Sequence, residues 1–374
     1  MISTAEFYNA LKKREIDFFT GVPDSLLKDI CAYISDNAPK ERHIITANEG
    51  NSIGLAVGNY LASGKPSLVY MQNSGFGNTV NPLLSIADEA VYGIPMLLLI
   101  GWRGEPGKKD EPQHVKQGEI SEDLLIAMKI PYQILDENSN INEVLDKAIQ
   151  VAMSEKKPYA LLVRKKTFEK YKLQSDVQSS YPLNREGAVK LIIDELGESD
   201  IVVSTTGKTS REVFEYREAL HQTHEKDFLT VGAMGHTASI AMGIAIEKKD
   251  RNIFCLDGDG SVLMHMGSLP VNGMMKSVNN FKHIVINNGA HDSVGGQPTL
   301  GFDIDFTKIA EASGYTSVDS ASEVNDITRK INVLKSHKGR AFLEIKVNKG
   351  ARAELGRPTT TPKENKKAFK KFLK

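Results

Sequence analysis

Short apolar runs alternate with stretches of helical spacing along the whole of this sequence. That alternation is the strongest constraint on its fold. Parallel strands cannot be joined by a tight turn; each needs a crossover, and a helix is the usual one. The expected strands of the first half are 16–20, 43–47, 67–71, 95–100 and 159–164. Those of the second half are 200–205, 253–256, 283–287 and 341–347. Most are apolar at successive rather than alternate positions, so both faces of each sheet should be covered. Residues 168–184, between the halves, are polar and rich in Ser, Gln and Lys, which is a linker's composition. The expectation is two doubly wound, parallel-sheet α/β domains built on one plan.

The 374 residues leave room for two such domains. Basic and acidic residues balance at 47 each, which argues against broad electrostatic binding to nucleic acid or a membrane. Any attraction for an anion must then be local. The opening residues Met1-Ile2-Ser3-Thr4-Ala5-Glu6 lack the pattern of a secretion signal, and the longest apolar run, 94–100, is too short to cross a bilayer. Cys31 and Cys255 lie in apolar stretches and are expected as buried, reduced thiols, which points to the cytoplasm. The basic stretch 363–374 is expected as a solvated helix docked through Ala368, Phe369, Phe372 and Leu373.

Chemistry gathers where the strands end. Strand 253–257 runs into Gly258-Asp259-Gly260-Ser261, whose glycines let backbone N–H groups approach an anion at a helix start. Asp-Gly is also ordinary turn chemistry. The next strand, 283–287, runs into Asn287-Asn288-Gly289 after a spacer of 26 residues, enough for one helix and one returning strand. Two polar clusters thus leave neighbouring strand ends, where open α/β sheets bind ligands. A hard cation such as Mg²⁺ takes a carboxylate plus neutral oxygens, which Asp259, an Asn carbonyl and a backbone carbonyl beyond it can offer. The competing reading is a pair of loops closed by Asx turns. Thr206-Gly207-Lys208-Thr209-Ser210 contains a Gly-Lys-Thr triplet, but a phosphate-binding P-loop needs a glycine five residues before Gly207, and Val202 stands there.

In these residues the chain resembles the thiamine diphosphate enzyme superfamily, whose signature is Gly-Asp-Gly, a spacer of this length and Asn-Asn. The resemblance implies thiamine diphosphate and Mg²⁺ as cofactors, with Asp259, Asn288 and the main-chain oxygen of Ala290 as metal ligands. Gly258, Asp259, Gly260 and Ser261 would hold the diphosphate, with Thr206, Gly207 and Thr209 binding further phosphate oxygens. Gly232-Ala-Met234-Gly-His236 resembles the segment that holds the aminopyrimidine. There the Gly232 carbonyl faces the amino group and Met234 is the wedge that bends the cofactor; plain core filling is the rival role for Met234. Thr46-Ala-Asn-Glu49-Gly-Asn-Ser resembles the segment that carries the activating glutamate, which makes Glu49 catalytic. A capping carboxylate at a helix start is the rival there. The resemblance further implies a pyrimidine domain (1–167), a linker (168–184) and a diphosphate domain (185–374) with the basic tail. It implies no third domain between them, and a homodimer or larger homo-oligomer with active sites at the subunit interface.

Two loops bear on the substrate. Residues 101–114 gather Arg103, Lys108, Lys109 and His114 after a strand, and a cationic loop in a neutral protein suggests a second anion on the substrate. A solvated loop balanced by Glu105, Asp110 and Glu111 is the alternative. Residues 287–299 carry His291, Gly295, Gly296 and Gln297, a composition suited to a mobile lid, with His291 as acid–base group or anion ligand. Asp24-Ser25 leaves the first strand where decarboxylases of the resembled superfamily place an acidic or hydroxyl group, which implies Asp24 as an active-site acid; a helix N-cap is the equal rival. Both loops and the two-domain order resemble the carboxy-lyases of that superfamily that act on pyruvates bearing a phosphonate or a sulfonate. The implied reaction turns 3-phosphonopyruvate into phosphonoacetaldehyde and CO₂, as a step in phosphonate biosynthesis. Sulfopyruvate is the near alternative, and an acetolactate-type ligation or a non-catalytic cofactor-binding subunit are the remote ones.

Overall fold

A computed structural model describes residues 1–175 and 179–374. The expected linker, 168–184, therefore lies partly outside the described residues. The chain divides into two compact units, Met1–Asp176 and Val177–Lys374.

The first unit holds β1 (Phe19–Gly21), β2 (His43–Ile45), β3 (Leu68–Gln72), β4 (Met96–Gly101), β5 (Tyr132–Leu135) and β6 (Pro158–Val163). The second holds β7 (Ile201–Ser204), β8 (Asp227–Leu229), β9 (Ile253–Gly258), β10 (Phe281–Asn287), β11 (Ser317–Ala321) and β12 (Ala341–Lys346). The sheet orders are β2-β1-β3-β4-β6-β5 and β8-β7-β9-β10-β12-β11. Every pairing between these strands is parallel. Counted within its own unit, each sheet has the same order, so the halves do share one plan. Both orders reverse direction between the first and third strands. That opens a crevice at those strands' C-terminal ends, the usual ligand site of an open α/β sheet.

Successive side chains of the central strands enter opposite cores. Leu97 and Leu99 join Leu68, Tyr70, Leu161 and Val163 on one side, while Leu98 and Ile100 join Val69, Met71 and Leu162 on the other. In the second unit Phe254, Leu256, Ile284 and Ile286 face one core and Ile253, Cys255 and Val285 the other. Burying each such side chain contributes about 1.5–3 kcal/mol, which is why these strands read as unbroken apolar runs.

Three strands, β5, β8 and β11, were not expected from the sequence. All are at sheet edges, where one side of the strand has no neighbour and polar residues are tolerated. β8 even carries Asp227, which is buried and paired with Arg217 at 2.9 Å and 3.0 Å. The nine expected strands are present with ends shifted by a few residues; the first is confined to Phe19–Gly21. Cys31 and Cys255 are free and buried. The basic tail forms the helix Pro362–Phe372, started by a Thr361–Glu364 capping box and docked through buried Phe369 against Phe228. Among the described residues no helix is long and apolar enough to cross a membrane.

Candidate functional site

In the second unit, β9 delivers its last residues straight into the helix Asp259–Met264. Asp259 is 3% exposed. Burial pushes its carboxyl up to about 6, opposed by the Thr299 hydroxyl and by backbone N–H groups of Asp259, Asn288 and Gly260. Among the described residues no basic side chain pairs with it. An ionised carboxylate buried without a countercharge is costly, so this position is suited to a cation. The neighbouring strand separates the roles of the two asparagines. Asn287 is fully buried and serves the fold: its Nδ2 donates to Gly301 O at 2.6 Å and to Glu344 Oε1 at 2.7 Å. Asn288 donates its backbone N–H to the Asp259 carboxylate, while its side-chain Oδ1 accepts from the Ala290 N–H at 3.2 Å.

Ala290 forms an isolated antiparallel bridge with Pro298, and the ladder bonds flank it, Thr299 N to Gly289 O at 3.0 Å and His291 N to Gln297 O at 2.8 Å. Ala290 is therefore the non-hydrogen-bonded member, and its carbonyl points away from the partner segment, on the side of its own N–H and Asn288 Oδ1. A Cβ at Gly301 would stand 2.6 Å from Asp259 Oδ2, so only glycine leaves this carboxylate its place. A buried carboxylate, an amide oxygen and a backbone carbonyl are the kinds of donor that a hard cation takes.

The loops leaving β7 and β8 close on the same turn through Ser261. Its hydroxyl accepts from Gly235 N at 3.1 Å and from Thr205 Oγ1 at 3.2 Å. Gly207 has φ +95 and precedes the helix Lys208–Ala219. Next to Gly235 (φ +87), Ala233 holds φ +53, a left-handed conformation that costs a non-glycine residue of order 1 kcal/mol and marks a built loop. A Cβ at Gly260 would meet the His291 ring at 3.2 Å and the Met234 methyl at 3.4 Å. Met234 thus lies over the Gly-Asp-Gly turn rather than in the core. Thr206, Gly207, Gly232, Met234, Asn288 and Ala290 sit on loops leaving these strand ends, Gly258 ends β9, Asp259, Gly260 and Ser261 open the helix that follows, and Thr209 is buried in its own helix.

In the first unit, Asn48 caps the helix Glu49–Ser63 by accepting from Gly50 N at 2.8 Å. Glu49, beside that cap, is 5% exposed and its carboxyl is raised by burial. Asn78 Nδ2 donates to Glu49 Oε2 at 2.8 Å. Oε1 lies over Gly75, where any Cβ would overlap it. Glu49 is therefore no exposed capping carboxylate; it is a held, buried acid.

Asp24 is fully buried, and burial pushes its carboxyl up to about 6 against N–H donation from Leu26 and Leu27. Those two bonds close a turn ahead of the helix Lys28–Asn37, whose own N-cap is Leu27, so Asp24 is not the cap of that helix. Gly101 lies against Asp24 Oδ2 and could bear no side chain. Arg103 Nη1 donates to Ser25 Oγ at 2.8 Å, and its guanidinium pairs with Asp110 through Nε at 2.8 Å and through Nη2. A cavity of about 260 Å³ is lined by Arg103, Lys108, Lys109, Lys165, Glu105, Asp110, Ser25 and Trp102, among others. His114 begins near this loop on the helix Pro112–Glu119, its Nδ1 3.3 Å from Gln117 Oε1.

The substrate candidates are thus not all alike. Lys108 and Lys109 line the cavity as exposed cations, whereas Arg103 is already neutralised by Asp110. Gln297 lies in the other unit, fully buried, and takes no part in this cavity. Burial lowers His291 to about 4, which favours its neutral form as acid–base group or anion ligand alike. His114 is likewise lowered by burial and by Arg103. Asn78, Thr299 and Lys165 were missed, and Asp110 was read only as a charge balancing its loop. Their roles depend on which loops meet, and nothing in their spacing announces it.

A family model described as "Thiamine pyrophosphate enzyme, N-terminal TPP binding domain" matches residues 4–125, and its C-terminal TPP-binding counterpart matches residues 205–345. The chain belongs to the thiamine pyrophosphate (thiamine diphosphate) enzyme family. Over its whole length it is similar to phosphonopyruvate decarboxylase from Streptomyces viridochromogenes, at 32% identity over 100% of this chain and 95% of that protein. The phosphonopyruvate decarboxylase of Streptomyces hygroscopicus is 31% identical over 100% and 94%. Sulfopyruvate decarboxylase from Methanosarcina acetivorans is 26% identical over 97% and 95%.

Proposed function

We infer that this protein decarboxylates 3-phosphonopyruvate to phosphonoacetaldehyde and CO₂, with thiamine diphosphate and Mg²⁺ as cofactors, in phosphonate biosynthesis. The observation that carries the substrate class is the cavity in the first unit. Four basic and two acidic residues line it, and both acids are committed, Glu105 to Arg164 at 3.0 Å and Asp110 to Arg103. The lysines remain in excess, which suits a second anion on a pyruvate. The identity of 32% to an enzyme named for phosphonopyruvate, against 26% to one named for sulfopyruvate, favours the phosphonate.

Bound thiamine diphosphate supplies the nucleophilic carbon and the electron sink that loss of CO₂ from a 2-oxo acid requires. Asp259, Asn288 Oδ1 and Ala290 O would hold Mg²⁺. The Gly258–Ser261 turn with Thr206, Gly207 and Thr209 would hold the diphosphate, and Gly232 and Met234 the pyrimidine. Glu49 would hold a proton at the pyrimidine ring nitrogen, a task helped by burial that favours its protonated form. When the bond to the carboxylate breaks, one proton must take the place of CO₂. Asp24, at about 6, is matched to deliver it near neutral pH, with His114 and His291 as further candidates. The reading includes a cytoplasmic homodimer or larger homo-oligomer whose active sites combine residues from two subunits.

A steady-state comparison of phosphonopyruvate, sulfopyruvate and pyruvate at matched concentrations tests this. The expected outcome is the highest kcat/KM for phosphonopyruvate, with equal yields of phosphonoacetaldehyde and CO₂. Absence of turnover on phosphonopyruvate, or an acetolactate-type ligation product in place of the aldehyde, refutes it.

A further inference from the structure

Asp292 lies four residues beyond Asn288 and ties that asparagine to three other segments of the second unit. Asn288 Nδ2 donates to Asp292 Oδ2 at 2.9 Å. Arg185 Nη1 donates to the same oxygen at 2.7 Å, and Gly350 N reaches both carboxylate oxygens at 3.2 Å and 3.1 Å. Lys208 Nζ donates to the Asp292 main-chain oxygen at 3.0 Å. Arg185 is itself gripped by Glu212 through two bonds of 2.8 Å and 2.9 Å, with side chains only 7% and 1% exposed.

A side-chain amide is nearly symmetric in shape, and its partners decide which end faces a ligand. At Asn288 both ends are assigned. The amide nitrogen is drawn to a carboxylate, a charge-assisted bond stronger than a neutral one, and the oxygen is left beside the Ala290 N–H. Asp292 does not act as a competing anion, because Arg185 neutralises it and Glu212 fixes Arg185. Such outer partners set the orientation and basicity of metal ligands, and their loss commonly costs 10–100-fold in metal affinity.

We propose that Asp292, anchored by Arg185 and Glu212, is the positioning residue that keeps the Asn288 carbonyl turned toward the cofactor's metal. The proposal rests on the reading of Asn288 as a metal ligand. In Asp292→Ala the acceptor is gone, nothing holds the Asn288 amide nitrogen, and the amide is free to turn its NH₂ to the cation. Asp292→Asn can keep its oxygen at the Oδ2 place, where Asn288 and Arg185 both donate, and so retains the hold.

The test is a calorimetric titration of the full chain with Mg²⁺ at saturating thiamine diphosphate, beside the thermal midpoint of the cofactor-free protein. Asp292→Ala should raise the Mg²⁺ Kd about tenfold or more, and Asp292→Asn, which keeps an acceptor for Asn288, should stay within about threefold of the parent. A purely structural role would lower the thermal midpoint of Asp292→Ala and leave its Mg²⁺ Kd unchanged. An Mg²⁺ Kd within about twofold of the parent in Asp292→Ala, or a loss in Asp292→Asn as large as that in Asp292→Ala, overturns the proposal. Where Asp292→Ala does not fold, Arg185→Lys, which loosens the same anchor, should raise the Mg²⁺ Kd at least about threefold, and an unchanged Kd overturns the proposal. Asp259→Ala with unchanged Mg²⁺ and cofactor affinity would instead remove the underlying metal reading.

Discussion

Asp110 holds the Arg103 guanidinium with both oxygens of its carboxylate and at the same time accepts from Gly104 N at 2.8 Å and Glu111 N at 2.7 Å. The acid therefore fixes the loop and the cation together, with Arg103 aimed at Ser25. Asp110→Ala should raise KM for phosphonopyruvate about tenfold while changing kcat less than about threefold, since a misplaced cation weakens binding before it affects bond breaking. Arg103→Lys, which cannot span Asp110 and Ser25 with one planar fork, should show the same split. Steady-state kinetics over the accessible substrate range decide it.

Glu49→Gln should lower turnover by at least about a hundredfold and leave cofactor binding by calorimetry largely intact. Gly75→Ala tests the same carboxylate from the other side. Its methyl group would overlap Glu49 Oε1, so turnover should fall while the Asn78 contact to Oε2 is strained. A Gly75→Ala enzyme with parental kcat would mean that the position of Glu49 is not critical.

Asp24 gives a pH signature. Its carboxyl is raised from 3.8 to about 6 in the folded chain. A raised carboxyl adds stability that is fully present below its unfolded value and is lost as pH rises through its folded value. Relative to the parent, Asp24→Asn should therefore gain about 2 kcal/mol between pH 4 and pH 7, because the variant has no charge to bury. Urea unfolding at the two pH values measures the difference; an equal difference at both would contradict the burial argument. Activity should fall in the same variant.

Asp259→Ala should weaken Mg²⁺ and thiamine diphosphate together, as expected when one ion joins the diphosphate to the protein. Gly301→Ala, which crowds Asp259 Oδ2 at 2.6 Å, should imitate it in milder form. Removing the metal with a chelator should release the cofactor from the parent protein, followed by its absorbance after gel filtration.

What the sequence disclosed follows from burial. The central strands announce themselves because both faces are covered, so Leu97–Ile100 and Ile253–Leu256 are apolar without a break. The edge strands Tyr132–Leu135, Asp227–Leu229 and Ser317–Ala321 lack that signature. The Gly-Asp-Gly and Asn-Asn turns were readable because adjacent strand ends impose a spacing. Asn78 and Asp292 were not readable, since their partners Glu49 and Arg185 come near only on folding; Asp110 was readable as a balancing charge of its loop but not as the hold on Arg103. The bidentate grip of Asp110 on Arg103 and the burial that lowers His291 are likewise products of packing that no motif reveals.

The common strand order has a consequence for how this chain is divided. The loop after the first strand carries Asp24 in one unit and Thr206 in the other; after the second, Glu49 and Met234; after the third, Gly75 and Asp259; after the fourth, Arg103 and Asn288. One scaffold has thus been used twice, and its two copies have taken up complementary trades at matching addresses. Neither sheet includes a strand from the other half. A polypeptide cut between the copies would leave each half with all six of its strands, so the covalent join is the part of this architecture that evolution is freest to dispense with.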